Sequence, residues 1–432
     1  MPESLFLRYC GIKRYFCAIL VIMIMSNTID PVKSSERYAI LDVLRGIALL
    51  GICLANYPEF SLYTFQSKDV VDAMPTAHID RLWRYVHYIF IDGKFYSLFS
   101  LLFGIGFSII IAKITQNHQN GFTVFYRRMC ILALIGLIHL LCLWAGDILL
   151  LYALVGLALP LFLKTSDRKL LIMAAIFVFF PIAIDTFRVL TDNRLTLEIP
   201  VLKAIRYFNE QVGINDDNFG VWLLDGKHYI DVLKFNIPGS FIRCQEFIVG
   251  NRVFKVLGLF LFGLYIGRNK IYARLDENRT ILKKIRFYGF LWGLPVSCLF
   301  AWNELNHHPM GLVVSSVIYA VSVIPLSLAY ISTLCLWYIK HKDSRFFSII
   351  AAPGRMALTN YIGQSVIGII IFYGVGFEMA LIGLVHTEMI AVGVFMFQIL
   401  FSNVWLRYFR FGPLEWIWRM ATYGKSIKIM IQ

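Results

Sequence analysis

Three sets of residues in this chain combine polar chemistry with apolar surroundings. Asp42 and Arg45 open the run Asp42-Val-Leu-Arg45-Gly46-Ile-Ala-Leu-Leu-Gly-Ile-Cys-Leu-Ala-Asn56-Tyr57, and Asn56 nearly closes it. On a helix, three-residue spacing puts the acid and the base on one face, where they can pair. Two readings are open. One is a structural ion pair at a helix end with snorkelling side chains; the other is a guanidinium fork that holds an anionic head group or a phosphate of a cytoplasmic donor. Asn56 is either a helix terminator beside Pro58 or a neutral donor that orients an acyl carbonyl or an acceptor hydroxyl.

The second set is His139 and Asp147, in Gly-Leu-Ile-His139-Leu-Leu-Cys-Leu-Trp144-Ala-Gly146-Asp147. His139 sits inside an apolar run, where an ionisable side chain is costly and marks a functional position. Eight residues separate it from Asp147, about 12 Å along a continuous helix. A direct pair needs a turn at Ala145-Gly146; the two then read as a general base and its orienter. A histidine bonded to a backbone carbonyl is the alternative. The third set is Arg355, Asn360 and Gln364, spaced to give one polar helix face. That face either hydrogen-bonds between helices or lines a substrate cavity. Glu304, His307 and His308 lack further ligands at metal spacing. Lys94 to Gly106 reads as a close-packing helix, since its GxG lacks the strand-turn-helix setting of a nucleotide loop.

The elements that position these residues are apolar. Hydrophobic residues make up 58% of the 432-residue chain and charged residues 16%, well below the roughly 25% of soluble proteins. An acid or base at the centre of a bilayer helix costs about 2.5–3.5 kcal/mol on insertion scales, so the polar sets need partners. Apolar runs predict an all-α transmembrane bundle of about ten spans: 40–58, 95–113, 129–146, 148–164, 169–187, 253–268, 285–302, 311–339, 353–373 and 386–405. The 41 Lys and Arg against 27 Asp and Glu punctuate these runs and form no single stripe, which argues against nucleic acid. Placed by the positive-inside rule, they put both termini in the cytoplasm. The long segment at about 190–236 then lies outside, as a folded cap or interfacial helices. Eight cysteines stand singly and read as small buried side chains.

Residues 1–36 read as an N-terminal extension. Lys13 and Arg14 precede an apolar run too short to span, like a signal peptide, while Met25 is the favoured start. Residues 37–425 form a single integral membrane domain, and 426–432 a C-terminal tail. No soluble catalytic domain fits, so any chemistry is done at or inside the bundle.

These segments resemble the YeiB-like family of bacterial integral membrane proteins, also called the domain-of-unknown-function 418 family. The resemblance rests on Leu41-Asp42-x-x-Arg45-Gly46-x-Ala48 with Asn56, Lys94-Phe95 with Leu101-Leu102-Phe103-Gly104, and His139 with Gly146-Asp147. It continues in Gly354-Arg355-Met356-Ala357-Leu358-Thr359-Asn360-Tyr361 and in Phe411-Gly412-Pro413-Leu414-Glu415-Trp416-x-Trp418-Arg419. It implies a multi-pass protein of the bacterial inner membrane. The first span is also similar, at a distance, to that of heparan-alpha-glucosaminide N-acetyltransferases, which pass an acyl group from cytoplasmic acyl-CoA to a sugar across the membrane. That similarity implies that Asp42, Arg45 and Asn56 belong to the equivalent site. A membrane acyltransferase built on these residues would use His139, Asp147 and Asn56 catalytically and Asp42, Arg45, Arg355, Asn360 and Gln364 for substrate, with Arg45, Lys113, Arg127 and Arg128 holding CoA phosphates. The acceptor would be an envelope glycan or lipid, with acyl-CoA as donor substrate, no tightly bound cofactor and no metal. The heparan-type enzymes carry a histidine soon after the asparagine; here none follows Asn56 until His78, so His139 or His78 takes that role. The competing function is a transporter or lipid-handling protein without catalytic activity.

Overall fold

The computed structural model describes residues 38–116, 121–193 and 196–431. The extension at 1–36, with its alternative start at Met25, lies outside the described residues. The described chain is helical, with no strand beyond one isolated bridge between Phe409 and Met430. Numbering only helices of eight residues or more, the first part of the chain comprises α1 (Ala39–Phe60), α2 (Ala77–Phe90), α3 (Lys94–Gln116), α4 (Gly121–Ile138), α5 (Leu149–Gly156), α6 (Asp167–Leu190), α7 (Glu198–Val212) and α8 (Tyr229–Val249). The remainder comprises α9 (Arg252–Arg268), α10 (Arg279–Leu305), α11 (Leu312–Lys340), α12 (Arg345–Arg355), α13 (Ala357–Phe372), α14 (Leu384–Tyr408) and α15 (Pro413–Tyr423).

Among the described residues, seven helical stretches are long and apolar enough to cross a membrane: Ala39–Phe60, Ala77–Ala112, Phe122–Leu143, Asp167–Leu190, Arg279–Leu305, Leu312–Lys340 and Leu384–Tyr408. Two bent pairs, α8 with α9 (65°) and α12 with α13 (75°), raise the number to nine if each is one span. Nine of the ten expected spans coincide with these stretches. The expected span at 148–164 does not. It holds only the eight-residue α5, about 12 Å long, and a 3-10 turn at Leu159–Phe162. Leu149, Leu151, Ala153 and Val155 lie in the core, whereas Leu154 and Leu161 are exposed.

The first span is the axis of the bundle. It packs against α3, α12, α13 and α14, and 56% of its apolar window is buried, against 22% for Asp167–Leu190 and 28% for Leu384–Tyr408. The outer helices instead turn Phe179, Phe180, Phe287, Trp292, Met396 and Phe397 outward, the face a lipid solvent selects. Gly46 and Gly354 let α1 and α12 touch backbone to backbone. A Cβ at Gly46 would fall on the Ile350 carbonyl oxygen, and one at Gly354 on that of Asp42. Helices associate in lipid by such close contacts, without help from the hydrophobic effect.

The expected continuous polar helix through Arg355, Asn360 and Gln364 is two helices bent at Met356. A break inside a bilayer must satisfy the backbone groups it frees. Here the Asn360 amide donates to the Pro353 carbonyl (3.1 Å) and Glu415 accepts from the first amides of α13. The segment expected as an outer cap is folded: α7, a short helix at Trp222–Asp225 and the start of α8 bury Ile205, Ile214 and Leu223.

Candidate functional site

One stripe of α1, at Asp42, Arg45, Leu49, Ile52, Asn56 and Glu59, lines a cavity of about 710 Å³. The spacings of three and four residues keep these side chains on one face. From Asp42 to Glu59 the stripe runs about 26 Å, close to the thickness of a bilayer's hydrocarbon core. Arg45 and Asn56, read from the sequence as belonging to one site, thus stand at opposite ends of one chamber.

The Arg45 end is basic. Arg128, Arg355 and Arg419 join Arg45 on the wall, with Glu415 and Asp42 as the acids. Both acids are engaged: Asp42 accepts from Arg45 at 2.7 Å, and Glu415 accepts from the Leu358 amide (2.7 Å), the Thr359 amide (3.1 Å) and the Thr359 hydroxyl (2.6 Å). Glu415 thereby neutralises the positive N-terminus of α13. Among the described residues, no carboxylate stands within 4.0 Å of Arg128, Arg355 or Arg419. Arg128 lies over the Trp418 ring at 3.6 Å and Arg419 over Phe411 at 4.5 Å, while Arg355 Nε is buried without a hydrogen-bond partner. Three guanidinium charges on one wall suit an anion. Of the other basic residues expected there, Arg127 is buried and donates to the Thr422 carbonyl, and it does not line the cavity; the side chain of Lys113 lies outside the described residues.

The walls between the ends are apolar and aromatic, with Leu49, Ile52, Phe99, Phe103, Met129 and Tyr361 among them. The Asn56 end is polar and mixed in sign. Glu59 faces Arg243 at 3.8 Å, Glu304 faces His308 at 3.5 Å, and Asp185 holds Asn251 at 3.1 Å and also Ser316. Lys255 lies over the Tyr319 ring at 3.9 Å.

His139 and Asp147 do meet. The α4 helix ends in a wide π turn at His139–Leu143, closed by a 2.8 Å bond from the Trp144 amide to the His139 carbonyl. The chain then doubles back at Gly146, where any Cβ would strike the Trp144 ring. This turn brings Asp147 Oδ1 to 2.9 Å from His139 Nδ1, and Asp147 Oδ2 accepts from the Leu150 amide at 2.7 Å. His139 Nε2 meets the Ser365 hydroxyl at 2.8 Å. All three side chains are essentially enclosed, at 1% exposure each. None of them lines the cavity: Tyr361, whose ring lies 5.2 Å from the His139 ring, stands at the wall instead. Sequence reasoning passed over Ser365 and Tyr361 because Ser and Tyr are common in membrane helices and their partners are distant in the chain. Glu415 and Arg419 stood in the quoted C-terminal motif, but their side was not legible.

Asn360 and Gln364 also stand away from the cavity. Asn360 donates to Ser402 (2.9 Å), and Gln364 donates to Gln398 (3.0 Å) and to the Leu49 carbonyl (3.3 Å). Gln398 in turn donates to the Asn360 carbonyl at 2.7 Å. This is the interhelical network that polar residues form in membranes. Asn360→Leu is expected to lower stability by about 1–3 kcal/mol, because it orphans the Pro353 carbonyl and Ser402. A reduced unfolding midpoint in detergent with unchanged ligand affinity checks this. His78 lies exposed on the first turn of α2, away from the cavity.

The fold and this chamber define a helical, multi-pass membrane-type protein with one basic and one mixed-charge end to its internal cavity. Residues 266–425 match the family described as protein of unknown function (DUF418). The chain is also 28% identical over 412 residues to the uncharacterized protein YxaH of Bacillus subtilis, covering 92% of this chain and 97% of that one. It is 27% identical to the uncharacterized protein YeiB of Escherichia coli, covering 90% and 96%. An uncharacterized 39.9 kDa protein from the amylase 3' region of Bacillus acidopullulyticus is 27% identical, covering 93% and 99%. No solved structure matches this chain.

Proposed function

We propose that this protein is an acyltransferase of the bacterial inner membrane that moves an acyl group from cytoplasmic acyl-CoA to an envelope glycan or lipid. The observation that carries the reading is the α1 stripe, which runs down one cavity from Asp42 and Arg45 to Asn56 and Glu59. The basic loops put both termini and the arginine end in the cytoplasm, and residues 148–164 then carry the chain across as α5 and its 3-10 extension. Arg45, Arg128, Arg355 and Arg419 hold the donor's phosphates, and the apolar middle takes its extended arm. Asn56 orients the acceptor, whose oxygen or nitrogen attacks the thioester carbonyl. The carbon–sulfur bond breaks, and the proton the acceptor loses ends on the departing CoA thiolate. His139 and Asp147, one side chain behind the wall, act here as positioning residues for Tyr361. Asp42 sets the Arg45 fork.

Purified protein in lipid nanodiscs is expected to bind acyl-CoA saturably and to release free thiol only when an acceptor is present. Failure to bind acyl-CoA overturns the proposal. A second reading, transport or lipid handling, is favoured by the two bent helix pairs at the cavity, which place Arg252 and Arg355 at their breaks. Flux of a labelled amphiphile across liposomes without acyl donor distinguishes it.

A further inference from the structure

We infer that the Tyr361 hydroxyl is the hydrogen-bond donor that holds the donor's thioester carbonyl midway along the cavity. The inference rests on the acyl-transfer reading and deepens it. Among the described cavity-lining residues, two carry a buried polar atom without a hydrogen-bond partner: Arg355, at the basic end, and Tyr361, in the apolar middle. Tyr361 is 5% exposed. A buried hydroxyl whose proton has no acceptor is unfavourable, and such a group in a native structure calls for a partner. Its aromatic neighbour has none to spare, since the Tyr152 hydroxyl is shared with Ser100 (2.7 Å) and the Tyr96 carbonyl (2.9 Å).

The position suits a carbonyl. Tyr361 stands on α13 six residues beyond Arg355, across the bend at Met356, so an extended ligand anchored by phosphate at Arg355 passes it. Its ring is fixed from behind by His139, itself clamped between Asp147 and Ser365. That buried chain makes no contact with the cavity, and preorganising Tyr361 gives it a use. When the acceptor's oxygen or nitrogen bonds to the thioester carbon, the carbonyl π electrons move to oxygen. The tyrosine donor stabilises that charge in a water-poor setting. Collapse of the adduct returns the electrons to the carbonyl and expels CoA sulfur, which takes the proton the acceptor lost.

The test compares wild type with Tyr361→Phe in nanodiscs, using acetyl-CoA and CoA as paired probes. The expected result is about a tenfold loss of affinity for acetyl-CoA with CoA unchanged, the order set by one hydrogen bond. The infrared band of a carbon-13-labelled thioester carbonyl should also move to higher frequency in the variant. Transfer should fall about a hundredfold or more, as when an oxyanion donor is removed. The unfolding midpoint should hold or rise, because no existing bond is lost. If wild type binds both probes and the variant keeps the same acetyl-CoA to CoA ratio, the Tyr361 assignment falls while acyl transfer stands. If wild type binds neither, acyl transfer falls and the assignment with it. A lower midpoint with an unchanged ratio marks a structural hydroxyl and also overturns the assignment.

Discussion

His139→Ala is expected to destabilise the protein by about 3–5 kcal/mol, the usual cost of stranding one partner of a buried pair. The argument starts from enclosure. His139 and Asp147 are each 1% exposed, 2.9 Å apart, and neither side chain lines the cavity. Taking away the imidazole leaves one oxygen of Asp147 facing a void, and Ser365 loses its partner on another helix. Asp147→Asn should cost less, because an amide still accepts from the Leu150 amide and fills the same volume. Urea or thermal unfolding in detergent, read by tryptophan fluorescence, checks the order His139→Ala worse than Asp147→Asn. An unchanged midpoint for His139→Ala would show that the pair does not hold the fold. The consequence for function is direct: inactive His139→Ala protein would not by itself identify a base, since the ring also positions the π turn and Tyr361.

The same pair shows how far the residues could be read without coordinates. Hydropathy located nine of the helical stretches, because a lipid solvent demands long apolar runs whatever their neighbours. At 148–164 the apolar run is a short helix and a 3-10 turn, because buried leucines such as Leu149 and Leu151 read the same in sequence as the exposed Leu154 and Leu161. The turn joining His139 to Asp147 was legible from Ala145-Gly146, since the doubling back is local and needs a residue without a side chain. That the clamped ring stands behind the wall depends on Ser365 and Tyr361 of α13, more than 200 positions later in the chain, and no local pattern carries that. The same holds for the polar set on α13: its spacing predicted one face, but the bend at Met356 sends Arg355 to the cavity and Asn360 and Gln364 into the packing. Arg45 and Asn56 were legible as one stripe because both belong to one uninterrupted helix.

Arg355→Gln should weaken binding of CoA and acyl-CoA alike by about 10–100-fold, while leaving the fold nearly as stable. A hydrogen bond to a charged group contributes about 1.5–3 kcal/mol, which sets that range. Arg355 is the cleanest of the four arginines to change. Arg45 holds Asp42 at 2.7 Å, so its loss strands a carboxylate that is 8% exposed. Arg128 and Arg419 each cover an aromatic ring, so their loss also removes packing. Arg355 has no ion pair, and its Nε has no hydrogen-bond partner, so in the unliganded protein there is little for glutamine to break. The effect should be independent of acyl-chain length, because the phosphates and the chain occupy different ends of the cavity. It should shrink as salt rises, since screening at about 1 M confines charge interactions to roughly 3 Å. Titration of CoA and of two acyl-CoAs into nanodisc-embedded protein at several salt concentrations gives all three results. If the variant loses affinity for acyl-CoA but not for CoA, Arg355 is reading the chain and the basic end is not the phosphate site. Equal losses for all three ligands, smaller at high salt, assign the charge to Arg355 and orient the donor with its phosphates beside Arg45.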